Sequence, residues 1–377
     1  MPPATNKTAL ILAGGGIMGA AYEIGSLTAL DRLFSPGFST RRFGTYIGVS
    51  AGSVIAALIA NRIAPAELFY AISNDQRTVF NWNRRDIYRF ELAGLAASCI
   101  NVLRNGVKVF RHHRQRGWGF SLADLPTIIQ EQFPAGIFSL APMQHYLCSS
   151  FQKEGIVDNF ARLQSKLLIP AYDLDLGERV VFGAGERQDM HICAAITASC
   201  SIPFFFRPWP IGTNYYQDGS YGQGGHLDLA VERGAKLIIL INPRVPISNN
   251  RERVCLPSMS YGNCSSIANL GITFAWEQMQ RVETQVKINL EVEALRRTRP
   301  DIDVIVMEPG GEEAVLFFQS PMSQQARNHI MDYGYHLTLS QLSSRFDALE
   351  EIFTRHGISV RNDRLEAAPP TTRPTYR

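Results

Sequence analysis

The sequence predicts an α/β fold, a three-layer arrangement with a mostly parallel central sheet flanked by helices, plus a C-terminal mainly helical extension. Two observations carry this. The stretches KTALILA (7–13) and KLIILIN (236–242) are almost continuously apolar, as strands buried on both faces require. The first of them, and FGTYIG at 43–48, run directly into helix-like segments at 17–33 and 50–62, the alternation of a parallel sheet with helical crossovers. At 377 residues and 45% apolar content, the chain can bury one large α/β domain with an extension, or two domains.

The remaining elements follow in order. Residues 65–165 are less regular, and their aromatics and arginines (Phe80, Trp82, Arg84, Arg85, Tyr88) suggest helices and loops over the active side of the sheet. KLLIPAYDLDLGERVVFG (166–183) reads as two strands joined by a turn at Leu176-Gly177. A helix at 189–200 leads into the proline- and aromatic-rich SIPFFFRPWP, and 225–234 reads as another helix. After about residue 248 come a long helical pattern (266–298), a strand (302–307) and helices between 321 and 356, with Ser320-Pro321 suited to open one of them. The expected division is a domain at 5–248 with an irregular basic and aromatic insertion at about 80–125, an extension at 249–362 packed on it, and a disordered proline- and threonine-rich tail at 363–377.

A formal charge of +3 leaves attraction to anions to local clusters. The six cysteines lie far apart with no C-x-x-C, which argues against a structural zinc site and a dense disulfide framework. The N-terminal stretch lacks the basic start and cleavage site of a signal peptide, and no window reaches the roughly 18 apolar residues of a membrane span. The expectation is a cytoplasmic protein, peripheral at most at a membrane, with a signal-free export route left open.

The chemistry centres on IGVSAGS (47–53). Gly48-Val49-Ser50-Ala51-Gly52 is G-x-S-x-G between a strand and a helix, the context of a nucleophile elbow. Glycines two before and two after Ser50 let the backbone turn sharply, and the helix behind adds partial positive charge. The cluster Gly14-Gly15-Gly16-x-x-Gly19 ends the neighbouring strand. It fits either a dinucleotide cradle or a set of backbone donors for an oxyanion. The dinucleotide reading needs an acid at the end of the second strand, but that strand ends in the serine turn and the nearest candidate, Asp31, sits in a helix. Asp218-Gly219, in a glycine-rich loop after an aromatic strand, offers a carboxylate base or simply a turn.

These blocks in this order, with AAITASCSIPFFFRP (194–208) between the last two, resemble the patatin-like phospholipases over roughly residues 7–245. The resemblance implies a Ser–Asp dyad without histidine: Ser50 attacks the acyl carbonyl of a lipid ester and Asp218 takes its proton. The amides of Gly14, Gly15 and Gly16 would hold the oxyanion, supported by Gly19, Gly48, Gly52 and Gly219, with no metal or cofactor. Burial raises a carboxyl above its usual pKa of about 4, which makes it a better base toward serine. Departures exist. Met18 occupies a slot where an arginine is common in the family, Ser220 follows Asp218-Gly219, and GQGGHLDLA replaces the usual Asn-x-Pro.

His226, eight residues past Asp218, is a candidate third member or a structural histidine; His329, His336 and His356 read as packing residues. From Leu92 to Ala123 there is no acidic residue, and Arg104, Lys108, Arg111, Arg114 and Arg116 alternate with Val102, Phe110, Trp118 and Phe120. Arg104–Phe120 therefore suits an anionic lipid interface, a solvated helix face or a dimer contact. No nucleic-acid module is present. The competing functional readings are a non-catalytic lipid-binding or scaffolding relative, and a dinucleotide-dependent oxidoreductase using the Gly14–Gly19 turn.

Overall fold

The computed structural model describes residues 7–76, 84–90, 134–250, 265–313 and 323–365, with single positions at 111, 115, 116, 317 and 369. Nearly all of the basic stretch 104–120 and of the 80–125 insertion therefore lies outside the described residues, as do Ser320-Pro321 and nearly all of the tail from 366.

The main sheet is built by β1 (Thr8–Leu12), β2 (Thr45–Gly48), β5 (Lys166–Asp173), β6 (Glu178–Phe182), β8 (Trp209–Ile211), β9 (Asn214–Asp218), β10 (Leu237–Ile241) and β11 (Asp303–Met307). Its order is β11-β10-β1-β2-β5-β9-β8, with β6 also paired to β5. The five strands from β11 to β5 are mutually parallel; β6, β8 and β9 join antiparallel. The short strands β3 (Arg89–Phe90), β4 (Gly136–Ser139) and β7 (Phe204–Phe206) make a separate small sheet.

Sequence periodicity explains the layering. In β1, Leu10 and Leu12 enter one buried cluster while Ala9 and Ile11 enter another; β10 divides likewise, Ile239 and Ile241 against Ile238 and Leu240. Successive side chains point to opposite faces, so a strand apolar at every position needs helices on both. One face carries α1 (Gly16–Leu33), α2 (Ala51–Ala60), α3 (Pro65–Ser73), α4 (Ala141–Glu154) and α5 (Ile192–Ser199). The other carries α6 (Leu227–Glu232) and α7 (Ile272–Thr298). Helix α8 (Gln324–Ser344) packs across α1, and α9 (Phe346–Arg355) packs its Leu349 and Phe353 into the same cluster.

Two features differ from the sequence reading in detail. The stretch after residue 248 is not only a helical cover, because its strand β11 pairs in parallel with β10 across all five residues. The run LIILI has the composition of an interior strand and needs a neighbour on each side. Second, a disulfide between Cys148 and Cys193 ties α4 to α5, a pairing that cysteine spacing did not suggest. Cys200 is free and buried, and the other three cysteines lie outside the described residues.

Candidate functional site

The site forms where β1 and β2, adjacent and parallel, both end. β2 stops at Gly48 and α2 starts at Ala51, so Ser50 bridges strand and helix with φ 52° and ψ −132°. A non-glycine residue pays of order 1–3 kcal/mol for such a conformation, and the surroundings must hold it. They do so through hydrogen bonds. The Ser50 N–H donates to Ser199 Oγ at 2.9 Å, Ser199 Oγ donates to the Pro170 carbonyl at 2.7 Å, and Ser53 Oγ donates back to the Ser50 carbonyl. Gly52 is required by contact: a Cβ there would lie 2.7 Å from the Leu12 carbonyl oxygen and 2.9 Å from the Gly14 nitrogen. The two glycine motifs are thus two sides of one backbone contact. Gly48, Gly19 and Gly219 likewise lie against neighbouring backbone.

Asp218 ends β9, which pairs with the far half of β5 and so delivers the carboxylate to the serine turn. Ser50 Oγ donates to Asp218 Oδ2 at 2.6 Å, and the Ser220 N–H donates to Oδ1 at 2.8 Å. Both residues are buried. Burial pushes the Asp218 carboxyl above its ordinary range, opposed by the hydrogen bonds from Ser50 and Ser220 and by the charge of Arg244.

The glycine turn requires one correction. Gly14 has φ 78°, and a Cβ there would meet the Val49 carbonyl oxygen at 2.4 Å, so only glycine fits. Its N–H, however, donates to Glu23 Oε1 at 3.0 Å. The amide expected to join Gly15 and Gly16 as an oxyanion donor is therefore already used. Glu23 is fully buried on α1, and burial raises its carboxyl well above the ordinary range. Gly15 and Gly16 open α1 and line a cavity of about 340 Å³ together with Ser50 and Asp218. The first amides of a helix have no partner within it.

The histidines separate cleanly. His226 is fully buried; its Nε2 lies 3.0 Å from the Gly219 carbonyl oxygen and its Nδ1 3.3 Å from Arg179 Nη1. Donation from Nε2 and acceptance at Nδ1 define a neutral ring, and burial pulls its pKa down to about 4. Arg179 is in turn paired with Asp228. His226 thus props the loop behind Asp218 and makes no contact with the dyad. His329 and His336 lie on α8, and His356, just beyond α9, pairs with Asp303 at 2.8 Å; none lines the cavity. Asp31 accepts from the Thr40 N–H at 2.7 Å, a loop closure rather than a ribose contact. Met18, in the slot where the family often has arginine, is buried in the core.

Sequence reasoning missed several contributors. Ser199 stands in the quoted TASCSIP block, yet nothing in that block says that its hydroxyl holds the Ser50 amide. Arg244, directly after the Asn242-Pro243 pair that follows β10, and Glu277 and Arg281, four apart on α7, also line the cavity. Their signal is a basic residue just beyond the end of a central strand, where ligands of parallel sheets gather.

Residues 10–230 match the family model described as Patatin-like phospholipase. The chain belongs to that family of lipid hydrolases. A curated relative, the "Probable lipid hydrolase 463L" of Invertebrate iridescent virus 6, is 22% identical over 232 residues, 62% of this chain and 66% of its own length. The chain thus covers slightly less than two thirds of that relative. Among solved structures, VipD from Legionella pneumophila aligns over 91% of this chain and 68% of its own, at 14% identity and a TM-score of 0.37. ExoU of the Pseudomonas aeruginosa type III secretion system, solved with SpcU, aligns over 92% of this chain and 59% of its own, at 16% identity and a TM-score of 0.32.

Proposed function

We propose that the chain hydrolyses fatty-acyl esters of lipids through a Ser50–Asp218 dyad and an acyl-enzyme. The observation that carries this is the 2.6 Å contact between Ser50 Oγ and Asp218 Oδ2 on the floor of the cavity. Ser50 Oγ attacks the acyl carbonyl while its proton passes to Asp218 Oδ2. The tetrahedral oxyanion is held by the N–H groups of Gly15 and Gly16, aided by the positive end of α1. Asp218 then returns the proton to the leaving alcohol. In the second half, water attacks the acyl-Ser50 carbonyl, its proton goes to Asp218, and Ser50 leaves with that proton as the fatty acid departs.

Lipid access is supported by the apolar character of the mouth. Phe205, 41% exposed, lines the cavity, and its neighbour Phe204 is 64% exposed; Ile272, beside the lining residue Thr273, is 86% exposed. No helix among the described residues is long and apolar enough to cross a membrane, so contact with lipid would be made from one side. The basic segment Arg104–Phe120 remains part of this proposal as a peripheral contact.

The test is release of free fatty acid from anionic phospholipid vesicles by the wild type, Ser50→Ala and Asp218→Asn, with fluorophosphonate labelling in parallel. The expected result is release and labelling by the wild type and loss of release in both variants at unchanged circular dichroism. A folded wild type that neither releases acid nor takes up the label overturns the hydrolase reading in favour of lipid binding.

A further inference from the structure

The cavity is lined by a buried guanidinium, Arg244, one of whose nitrogens has no hydrogen-bond acceptor among the described residues. Arg244 is 4% exposed and lines the same cavity as Ser50. Its backbone is fixed, since the Arg244 N–H donates to Asn242 Oδ1 at 3.0 Å. Its stem is fixed too: Cγ would lie 3.3 Å from a Cβ on Gly15, so the side chain starts against the glycine turn. The guanidinium lies over the Tyr221 ring, 5.3 Å from its centre, and Tyr221 stacks on Trp276 at 5.3 Å and an interplanar angle of 21°. Arg244 Nη2 is buried without a hydrogen-bond acceptor among the described residues; the carboxylate oxygen paired with it, Glu277 Oε2, is 3.5 Å away. Glu277 also serves Arg281, whose Nε donates to Oε1 at 3.2 Å and whose Nη1 donates to the Val245 carbonyl at 3.1 Å.

A buried guanidinium donor without an acceptor costs free energy unless a ligand supplies one. One carboxylate, Glu277, is thus shared by the guanidiniums of Arg244 and Arg281 at the edge of the reacting centre. The aromatic platform sets the orientation of the planar fork, which suits bidentate contact with a phosphate better than with a neutral glycerol hydroxyl.

We propose that Arg244 determines substrate specificity by donating a hydrogen bond from Nη2 to an anionic oxygen of the substrate's phosphodiester. This rests on the hydrolase reading above. Arg244 touches the part of the substrate that does not react; its charge also acts on Asp218, but in the same way for either ester, so the ratio between esters isolates this contact.

The test compares Arg244→Gln and Arg244→Lys with the wild type on two soluble short-chain esters, dihexanoyl phosphatidylglycerol and dihexanoylglycerol. The expected result is that Arg244→Gln lowers the ratio of kcat/KM for the phosphodiester over the neutral ester by ten-fold or more, about 1.4 kcal/mol, with partial recovery in Arg244→Lys. A purely architectural role would lower both rates in proportion, and an unchanged ratio overturns the proposal. Binding is measured separately in Ser50→Ala by calorimetry with the same two esters and with inorganic phosphate. Preference for the phosphodiester that disappears with Arg244→Gln supports the assignment even where the wild type shows no turnover, which isolates failure of the hydrolase reading from failure of this one. Binding of inorganic phosphate without preference between the esters assigns the position to free phosphate and overturns the substrate role.

Discussion

Ser199 is the point at which fold and chemistry are most directly coupled. Its hydroxyl is fully buried, accepts from the Ser50 N–H at 2.9 Å and donates to the Pro170 carbonyl at 2.7 Å. Ser199→Ala leaves one buried donor and one buried acceptor unpaired, each worth about 1–3 kcal/mol. Partial relaxation of the turn recovers some of this, so the expected loss in urea unfolding is about 2–4 kcal/mol at an unchanged m-value. The strain at Ser50, of order 1–3 kcal/mol, is then no longer held by its amide, and the Oγ–Oδ2 contact loosens. Acid release per folded molecule should therefore fall at least ten-fold, measured with a short-chain ester at a temperature where the variant is fully folded. A variant that loses stability but keeps the wild-type rate would refute the argument that this hydrogen bond holds the serine in its working geometry. A loss below about 0.5 kcal/mol would refute the energetic half as well.

Four further outcomes are expected. In the proposed dyad Asp218 has to be ionised to take the serine proton, and burial raises its pKa, so the acid limb of kcat/KM should lie above the ordinary carboxylate value of about 4. The same shift means that the folded state holds this proton more tightly than the unfolded chain does. Stability is thus lost as pH rises from about 4 through the folded pKa, and Asp218→Asn should flatten that interval; a limb at or below 4 in the rate profile would contradict this. Gly25→Ala, whose new Cβ would lie 2.0 Å from the Met331 carbonyl oxygen, should cost about 3 kcal/mol or more by prising α8 from α1, and a thermal shift under 2 °C would count against it. Reduction of Cys148–Cys193, which span 45 residues, should cost about 4 kcal/mol by releasing loop entropy in the unfolded chain; identical urea midpoints with and without reductant would disprove that.

What the sequence made legible was what local rules write strongly. β1 and β10 are apolar at every position because both their faces are covered, and each is found within a residue or two of its expected place. The glycines at 14, 48 and 52 are visible because no other residue fits where backbones touch. What stayed hidden depends on which side chain reaches which amide. Glu23 lies nine residues from Gly14 in the buried first half of α1, and only the turn of α1 over its own start shows that it takes the Gly14 N–H. Arg244 is an ordinary residue in sequence, made distinctive by Tyr221, Glu277 and a cavity lined from many separate stretches of the chain. His226 had two readings, and its contacts with Gly219 and Arg179 favour the structural one.

The family match stops at residue 230, seven residues before β10 begins, whereas the sheet continues through β10 to β11 and α1 leans on α8 through Gly25 and Gly334. The border of the family match and the border of the sheet therefore do not coincide in this chain. A fragment trimmed to the matched segment would bare one hydrogen-bonding edge of β1 and the apolar back of α1, an invitation to edge-to-edge association. It would also discard Arg244 and its platform partner Trp276. The part of the polypeptide that lies beyond the family match is the part that completes the sheet and furnishes one wall of the cavity.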